Sequence, residues 1–278
     1  HNWLIAKLAT AYVEIIRNIP LLLQLFFWYF AVLKTLPGPR QSLIVPGGGF
    51  LNVRGLYLPV PVVQPGFGWV VAAFLAGLAA SIALAFRARR RQVETGEQLP
   101  VLLPSIGLCL GLPLLVFLAA GLPLTFDYPT LRGFNFNGGL VILPELMALL
   151  LGLSIYTASF VAETVRSGIL GVPKGQLEAA SALGLSRGRT LRLVVIPQAM
   201  RIIIPPLTSQ YLNLTKNSSL AVAIGYPDFV SVFTGTVLNQ TGQAIEVIVI
   251  TMAVFLTISL ATSLGMNWFN RRMALVER

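Results

Sequence analysis

Long apolar runs without charge constrain this chain more than any other feature. About 20 helical residues cross the roughly 30 Å of hydrocarbon in a bilayer, so uncharged runs of about 18 or more are candidates to span it. Six segments qualify or come close: Asn18 to Leu33, Gly66 to Phe86, about Leu99 to Gly121, about Leu140 to Val165, about Val194 to Ala223 and about Glu246 to Trp268. The first is of minimal length unless it borrows the turn before it, from an amphipathic stretch at 2 to 17. Only 11% of the residues are charged and the mean hydropathy is +0.78, whereas soluble domains carry roughly a quarter. The expected fold is therefore all-α, a polytopic integral membrane helix bundle of about six spans.

A net charge of +10 would suit a nucleic-acid binder, but the basic residues fall between the apolar runs. There they read as topology determinants, because loops on the cytoplasmic side carry an excess of Lys and Arg. With residues 1 to 17 inside, Lys7, Arg17, the RARRR run at 87 to 91, Arg166, Lys174, Arg187, Arg189, Arg192 and the tail arginines are also inside. Only Lys34, Arg40, Arg54 and Arg132 fall outside, and Arg201 and Lys216 lie within a helix. RARRR ends the second span. Residues 37 to 65, with PGP, GGG and PVPVVQP, read as a Pro/Gly-rich extramembrane loop that breaks both helix and strand. Residues 229 to 245, interrupted by Gly, Asn and Gln, read as partly re-entrant or loop. The chain opens at His1 without a methionine, which points to a truncated N-terminus, and no cleavable signal peptide is recognisable.

The stretch LEAASALGLSRGRTLRLVVIPQAM, Leu177 to Met200, is small, polar and basic in oily surroundings, and the charge pattern places 177 to 193 in the cytoplasm. Apolar or small residues at 177, 180 and 183 suit a turn or two of helix. Gly184 can take the left-handed stop conformation and Ser186 can cap a second short helix. On periodicity alone this is equally a loop helix lying on the headgroups, with its arginines on anionic lipid.

A resemblance raises a sharper reading. Glu178-Ala179-Ala180, three residues, Gly184, nine residues, then Val194 to Pro197 resembles the EAA motif of the permease subunits of ABC importers. Tyr12 to Phe30 and Asn213 to Phe229 resemble segments of the polar amino-acid branch of that family. The two extra spans within 37 to 138 are similar to those of its larger general L-amino-acid permeases. The resemblance implies a first part, 1–36, an insert, 37–138, and a permease core, 139–278, with its coupling loop at 171–194. It implies a multi-pass protein of the bacterial inner membrane, in a type I importer. The expected partners are two copies of an ATPase, a second homologous permease subunit and an extracytoplasmic substrate-binding protein, with no nucleic acid. Glu178, Ala179, Ala180, Gly184 and Arg187 would then couple to the ATPase. The chain itself would be no enzyme: the partner ATPase binds ATP and Mg, and this chain needs no cofactor. Gly-Lys, which a phosphate-binding Walker A loop requires, occurs nowhere in it.

Ionisable groups in hydrocarbon usually face a bundle interior, a partner or water. Lys216 stands among Gln210, Asn213 and Asn217. A cation with amides nearby suits the carboxylate of an amino-acid substrate, while Glu145, or carbonyls freed where Pro205-Pro206 break the helix, suits its ammonium. The same lysine could instead snorkel to the outer headgroups. Glu163 and Arg166 read as a surface pair, and Arg17 as a residue that fixes how the first span enters the membrane. Other patterns carry little. GLSRG at 184 to 188 mimics a hydrolase nucleophile elbow, but that motif needs a preceding strand and a histidine partner, and His1 is the only histidine. Cys109, the one cysteine, has no partner for an internal disulfide. Gly107 and Gly111 form a weak G-x-x-x-G packing pattern, and the sequons at Asn213, Asn217 and Asn239 are disregarded. Two other classes share the remaining features: a secondary transporter or channel, and a membrane scaffold that moves no solute.

Overall fold

The computed structural model describes residues 3–96 and 100–273. Among the described residues, five helices are long and apolar enough to cross a bilayer: Phe67–Thr95 (α3), Leu102–Ala119 (α4), Pro144–Leu170 (α5), Arg187–Ile224 (α7) and Ala244–Arg271, within α9. A sixth candidate is the pair Trp3–Asn18 (α1) and Leu21–Leu33 (α2), bent by 103° at its break. Leu21–Leu33 passes as a span only together with α1, and the segment before it turns away sharply at Ile19-Pro20 instead of extending it straight. Between α5 and α7 lies the short helix Lys174–Ala182 (α6), and residues 231–241 (α8) are helical before α9, Ala244–Met273.

By internal contacts the chain divides into two units. One comprises His1–Gly38, Asn52–Gly55 and Ile142–Arg278, the other Pro39–Leu51 and Leu56–Val141. In the first, leucines and a tyrosine repeat every four residues along α2, so Leu21, Leu25, Tyr29 and Leu33 share one face. That stripe packs on Ala148, Leu149 and Leu153 of α5 and on Ala221 and Ile224 at the end of α7. In the second, α3 and α4 meet at Gly77, where a Cβ would overlap the Leu108 carbonyl, and Ser81 Oγ lies 3.3 Å from Cys109 Sγ.

Several expectations are corrected. The Pro/Gly-rich segment holds four strands: Leu43–Val45 (β1), Gly49–Asn52 (β2), Gly55–Leu58 (β3) and Val60–Val63 (β4). Four more follow α4: Leu124–Asp127 (β5), Thr130–Arg132 (β6), Asn135–Asn137 (β7) and Leu140–Ile142 (β8). They form a sheet in the order β1-β2-β3-β8 and two ribbons, β4-β5 and β6-β7. The breakers fall where strands tolerate them. Gly47 and Gly48 take positive φ in the β1–β2 turn, and Pro61 sits in β4, which pairs on one side only, so its missing N–H costs no rung. Phe136 lies against Phe50 and Tyr57, with centroids 4.7 and 4.9 Å apart.

The arginines at 87 to 91 end the apolar run but not the helix, since α3 continues to Thr95. The third span starts at Leu102, and Leu99 lies outside the described residues, as does His1. The fourth starts at Pro144 because Leu140–Ile142 is a strand. Pro205-Pro206 do not break their helix, which is continuous over Ile196–Asn217. The two missing N–H groups remove two rungs and the remaining ladder carries the helix through. Residues 231–241 form a π turn and a short helix instead of a loop.

At Gly168 a Cβ would overlap Ile203 Cγ1, whereas at Gly265 it would meet nothing. Gly168→Val is expected to destabilise the bundle by about 1–3 kcal/mol through overpacking, and Gly265→Ala to leave it unchanged or slightly firmer. Thermal unfolding in a mild detergent checks both.

Candidate functional site

The EAA segment folds as two short helices around a tight turn. α6 ends in a double bond pattern, Leu185 N–H to Ala180 O at 3.1 Å and Gly184 N–H to Ser181 O at 3.0 Å. This is the Schellman closure, which needs a left-handed residue at its turn, and Gly184 provides it with φ +70°. Ser186 stands at the N-cap of the next helical turn, but its hydroxyl makes no capping bond. Only its carbonyl joins the helix, accepting from Thr190 N–H at 2.9 Å. The position is exposed, so water can serve the open N–H groups. A π turn, Leu191–Val195, then joins this helical start to the rest of α7.

The motif residues divide by direction. Ala180 is 3% exposed and so faces inward, and Val172, Val195, Ala199 and Ile203 form a core cluster in the same part of the fold. Glu178, Ala179, Gly184 and Arg187 are exposed. Gln198 Nε2 donates to Gln176 Oε1 at 3.2 Å, which ties α6 to α7. The face expected from 177, 180 and 183 is not buried as a unit: Ala180 is, while Leu183, at the tip of the turn, is 80% exposed. Further along the segment Ser186, Gly188, Arg189, Arg192 and Leu193 line an open hollow of about 550 Å³.

The polar cluster in α7 is brought together on one side of the helix, as the spacing 210, 213, 217 requires. Gln210 and Asn217 are half-buried; Asn213 and Lys216 are exposed. No hydrogen bond or ion pair engages their side chains among the described residues, although the Lys216 carbonyl accepts from Ser219 Oγ at 2.6 Å. Glu145 is not brought to this set by any contact. It sits in the first turn of α5, where Tyr29 Oη donates to it at 2.6 Å and Lys34 Nζ lies 4.0 Å away. Lys34 also stands 4.9 Å from the Tyr29 ring centroid, so the three form one knot.

A second charged set lies between α1 and α5. Arg166 forms a two-pronged ion pair with Glu163, its Nε bond measuring 2.9 Å, and Arg17 stacks on Phe160 at 5.0 Å. A crevice of about 270 Å³ next to it is lined by Arg17, Phe160, Glu163, Thr164, Ser167 and Gln210, among others. The corner that directs α1 here is held by Gln24, unmarked in the sequence except as the single polar residue of LLLQLFF. It is 6% exposed, and its Nε2 donates to Ile16 O and Ile19 O at 2.9 and 3.0 Å.

Comparison with known proteins gives three kinds of match. Residues 1–275 match the family described as binding-protein-dependent transport system inner membrane component. The chain is 58% identical over 277 residues to the general L-amino acid transport system permease protein AapQ of Rhizobium johnstonii, covering all of the chain and 69% of that protein. It is 57% identical to the putative amino-acid ABC transporter permease protein YhdX of Escherichia coli, covering 70% of it. To the glutamate/glutamine/aspartate/asparagine permease protein BztB of Rhodobacter capsulatus it is 40% identical, covering 72%. A crystal structure of an amino acid ABC transporter with histidines shares the fold at 20% identity, with a TM-score of 0.51 over 96% of this chain and 75% of that one.

No atom lies within 4 Å of a Cβ placed on Gly184, so only its left-handed backbone resists substitution. Gly184→Asn, which tolerates that conformation, is expected to cost less than about 1 kcal/mol, and Gly184→Val about 1–2 kcal/mol. Melting temperatures of the purified variants order the three residues.

Proposed function

The chain belongs to the family of binding-protein-dependent transport system inner membrane components, and we propose that it is the permease subunit of an ATP-driven importer of polar and general L-amino acids. The observation that carries this reading is the EAA turn itself: a Schellman-closed, small-residue tip with an exposed Leu183, held to the start of a spanning helix. Relatives identical to this chain at more than half of their aligned positions carry amino-acid permease names, which supports the substrate class.

In this reading the permease does no chemistry. ATP and Mg are bound by two copies of a separate ATPase, each docking on a permease through its EAA turn. A second homologous permease completes the pathway, a binding protein delivers the amino acid from outside, and the assembly sits in the bacterial inner membrane. Glu178, Ala179 and Gly184 form the contact, Arg187 flanks it, and Ala180 anchors it inward. Closing of the ATPase pair pushes the turn, and the bundle switches its open side.

Four polar side chains left open in a spanning helix support a pathway role for Gln210, Asn213, Lys216 and Asn217, because unsatisfied groups in lipid would each cost several kcal/mol. Lys216 would hold the substrate carboxylate. Glu145 could receive the ammonium only by giving up Lys34 and Tyr29.

Uptake driven by ATP in proteoliposomes tests both assignments. Gly184→Asp is expected to abolish uptake while the permease stays folded, since its site is open in the chain and fills only when a partner docks; normal uptake would sink the coupling role. Lys216→Met is expected to reduce uptake at least tenfold with ATPase binding retained, and unaltered uptake would remove Lys216 from the pathway.

A further inference from the structure

Helix α3 is longer than a membrane requires, and its excess is the most basic stretch of the chain. From Phe67 to Phe86 it is apolar, about 20 residues or roughly 30 Å at 1.5 Å per residue, which matches the hydrocarbon thickness. The helix then continues through Arg87, Arg89, Arg90 and Arg91 to Thr95. Trp69, near its other end, is 73% exposed, where interfacial aromatic residues anchor spans. With Trp69 at one interface, the length of the apolar part sets Arg87 at the phosphates of the opposite leaflet.

The faces agree with the depth. Gly77, Ser81 and Ala88 are the buried residues of α3 and lie within about 40° of one another at 100° per residue, the side that meets Leu108 and Cys109 of α4. On the same wheel Arg87, Arg90 and Arg91 fill an arc of about 100° beside that seam, and Arg89 stands off it on the other flank. All four are exposed, and none has an ion-pair partner among the described residues. Glu94 shares the arc one turn further along but is not paired with them. Its charge leaves the run clearly cationic, and it lies deeper in the water.

We propose that Arg87, Arg90 and Arg91 form a binding site for the phosphate groups of anionic phospholipids in the leaflet that the charge pattern makes cytoplasmic. Guanidinium groups bind phosphate through two parallel hydrogen bonds, and three of them on one arc at headgroup depth hold the α3–α4 hairpin at a fixed level in the bilayer. The site works with α3 as a topology determinant but asks more of it: it prefers anionic over zwitterionic lipid.

The test uses the complex purified with its partner subunits, exchanged into micelles with equal amounts of phosphatidylglycerol and phosphatidylcholine. Native mass spectrometry counts the lipids retained. The unaltered complex should keep phosphatidylglycerol in preference. Arg87→Gln/Arg90→Gln/Arg91→Gln should lower that retention by about tenfold or more, a conservative figure given roughly fivefold per basic residue at an anionic surface. The corresponding lysine variant should keep most of it. Equal retention of the two lipids by the unaltered complex, or phosphatidylglycerol retained by the glutamine variant as before, overturns the site. Should the glutamine variant fail to insert, phosphatidylglycerol with a photo-crosslinker on its headgroup decides on the unaltered complex. Labelling within residues 86–95 supports the site, and labelling elsewhere alone refutes it.

Discussion

A peptide group in hydrocarbon must find its hydrogen-bond partner inside the protein, because no water is there to supply one. The whole chain is arranged around that obligation. Each long apolar run is helical over most of its length, and among the described residues strands lie in the segments 43–63 and 124–142, the last of them, Leu140–Ile142, at the start of the fourth run. Where prolines enter a span, at 205 and 206, the helix loses two rungs and keeps the rest. Where the chain turns a corner at Ile19-Pro20, Gln24 serves two of the carbonyls that the end of α1 leaves open. Gln24 Oε1 is itself buried without a partner, and the four polar side chains of α7, half-buried or exposed, are a second set without partners among the described residues.

How much of this the sequence disclosed depended on the range of the signal. Spans follow from composition over about twenty residues, so the apolar runs were legible, but their ends were less so: α3 runs on past Phe86 to Thr95, α7 begins at Arg187 instead of near Val194, and residues 231–241 are helical where the sequence reads as re-entrant or loop. The EAA turn was legible because its requirement is local: a left-handed Gly184 after a short helix, and small residues around it. The strands of the insert were hidden because proline and glycine were read as breakers, when Gly47, Gly48 and Pro61 mark turns and a one-sided strand. The 103° corner had no signature beyond Gln24 within LLLQLFF. The knot of Tyr29, Lys34 and Glu145 joins positions more than a hundred residues apart, and no spacing rule reaches that far. That knot also explains why Glu145, conspicuous in a run of apolar residues, is engaged by its own neighbours instead of the Lys216 set.

The proposed coupling places a demand on α6 and α7 that their packing can meet. A push on the EAA turn is useful only if it moves a long element instead of bending a short one. Ala180 is buried against the body, Gln176 is bonded to Gln198, and Val172 packs with Val195 and Ala199. The turn and the first part of α7 therefore move together. From Ile196 to Asn217 the helix runs 22 residues, roughly 33 Å at 1.5 Å per residue, so its far end with Asn213, Lys216 and Asn217 lies a membrane's thickness from the turn. Pro205-Pro206 fall between the two ends, where missing rungs make the helix easiest to flex. In the proposed coupling, a continuous but softened lever would let the outer polar stripe change its aspect while the packed inner end followed the docked ATPase. A fully broken helix would not transmit the motion, and one without prolines would have to move as a single rod.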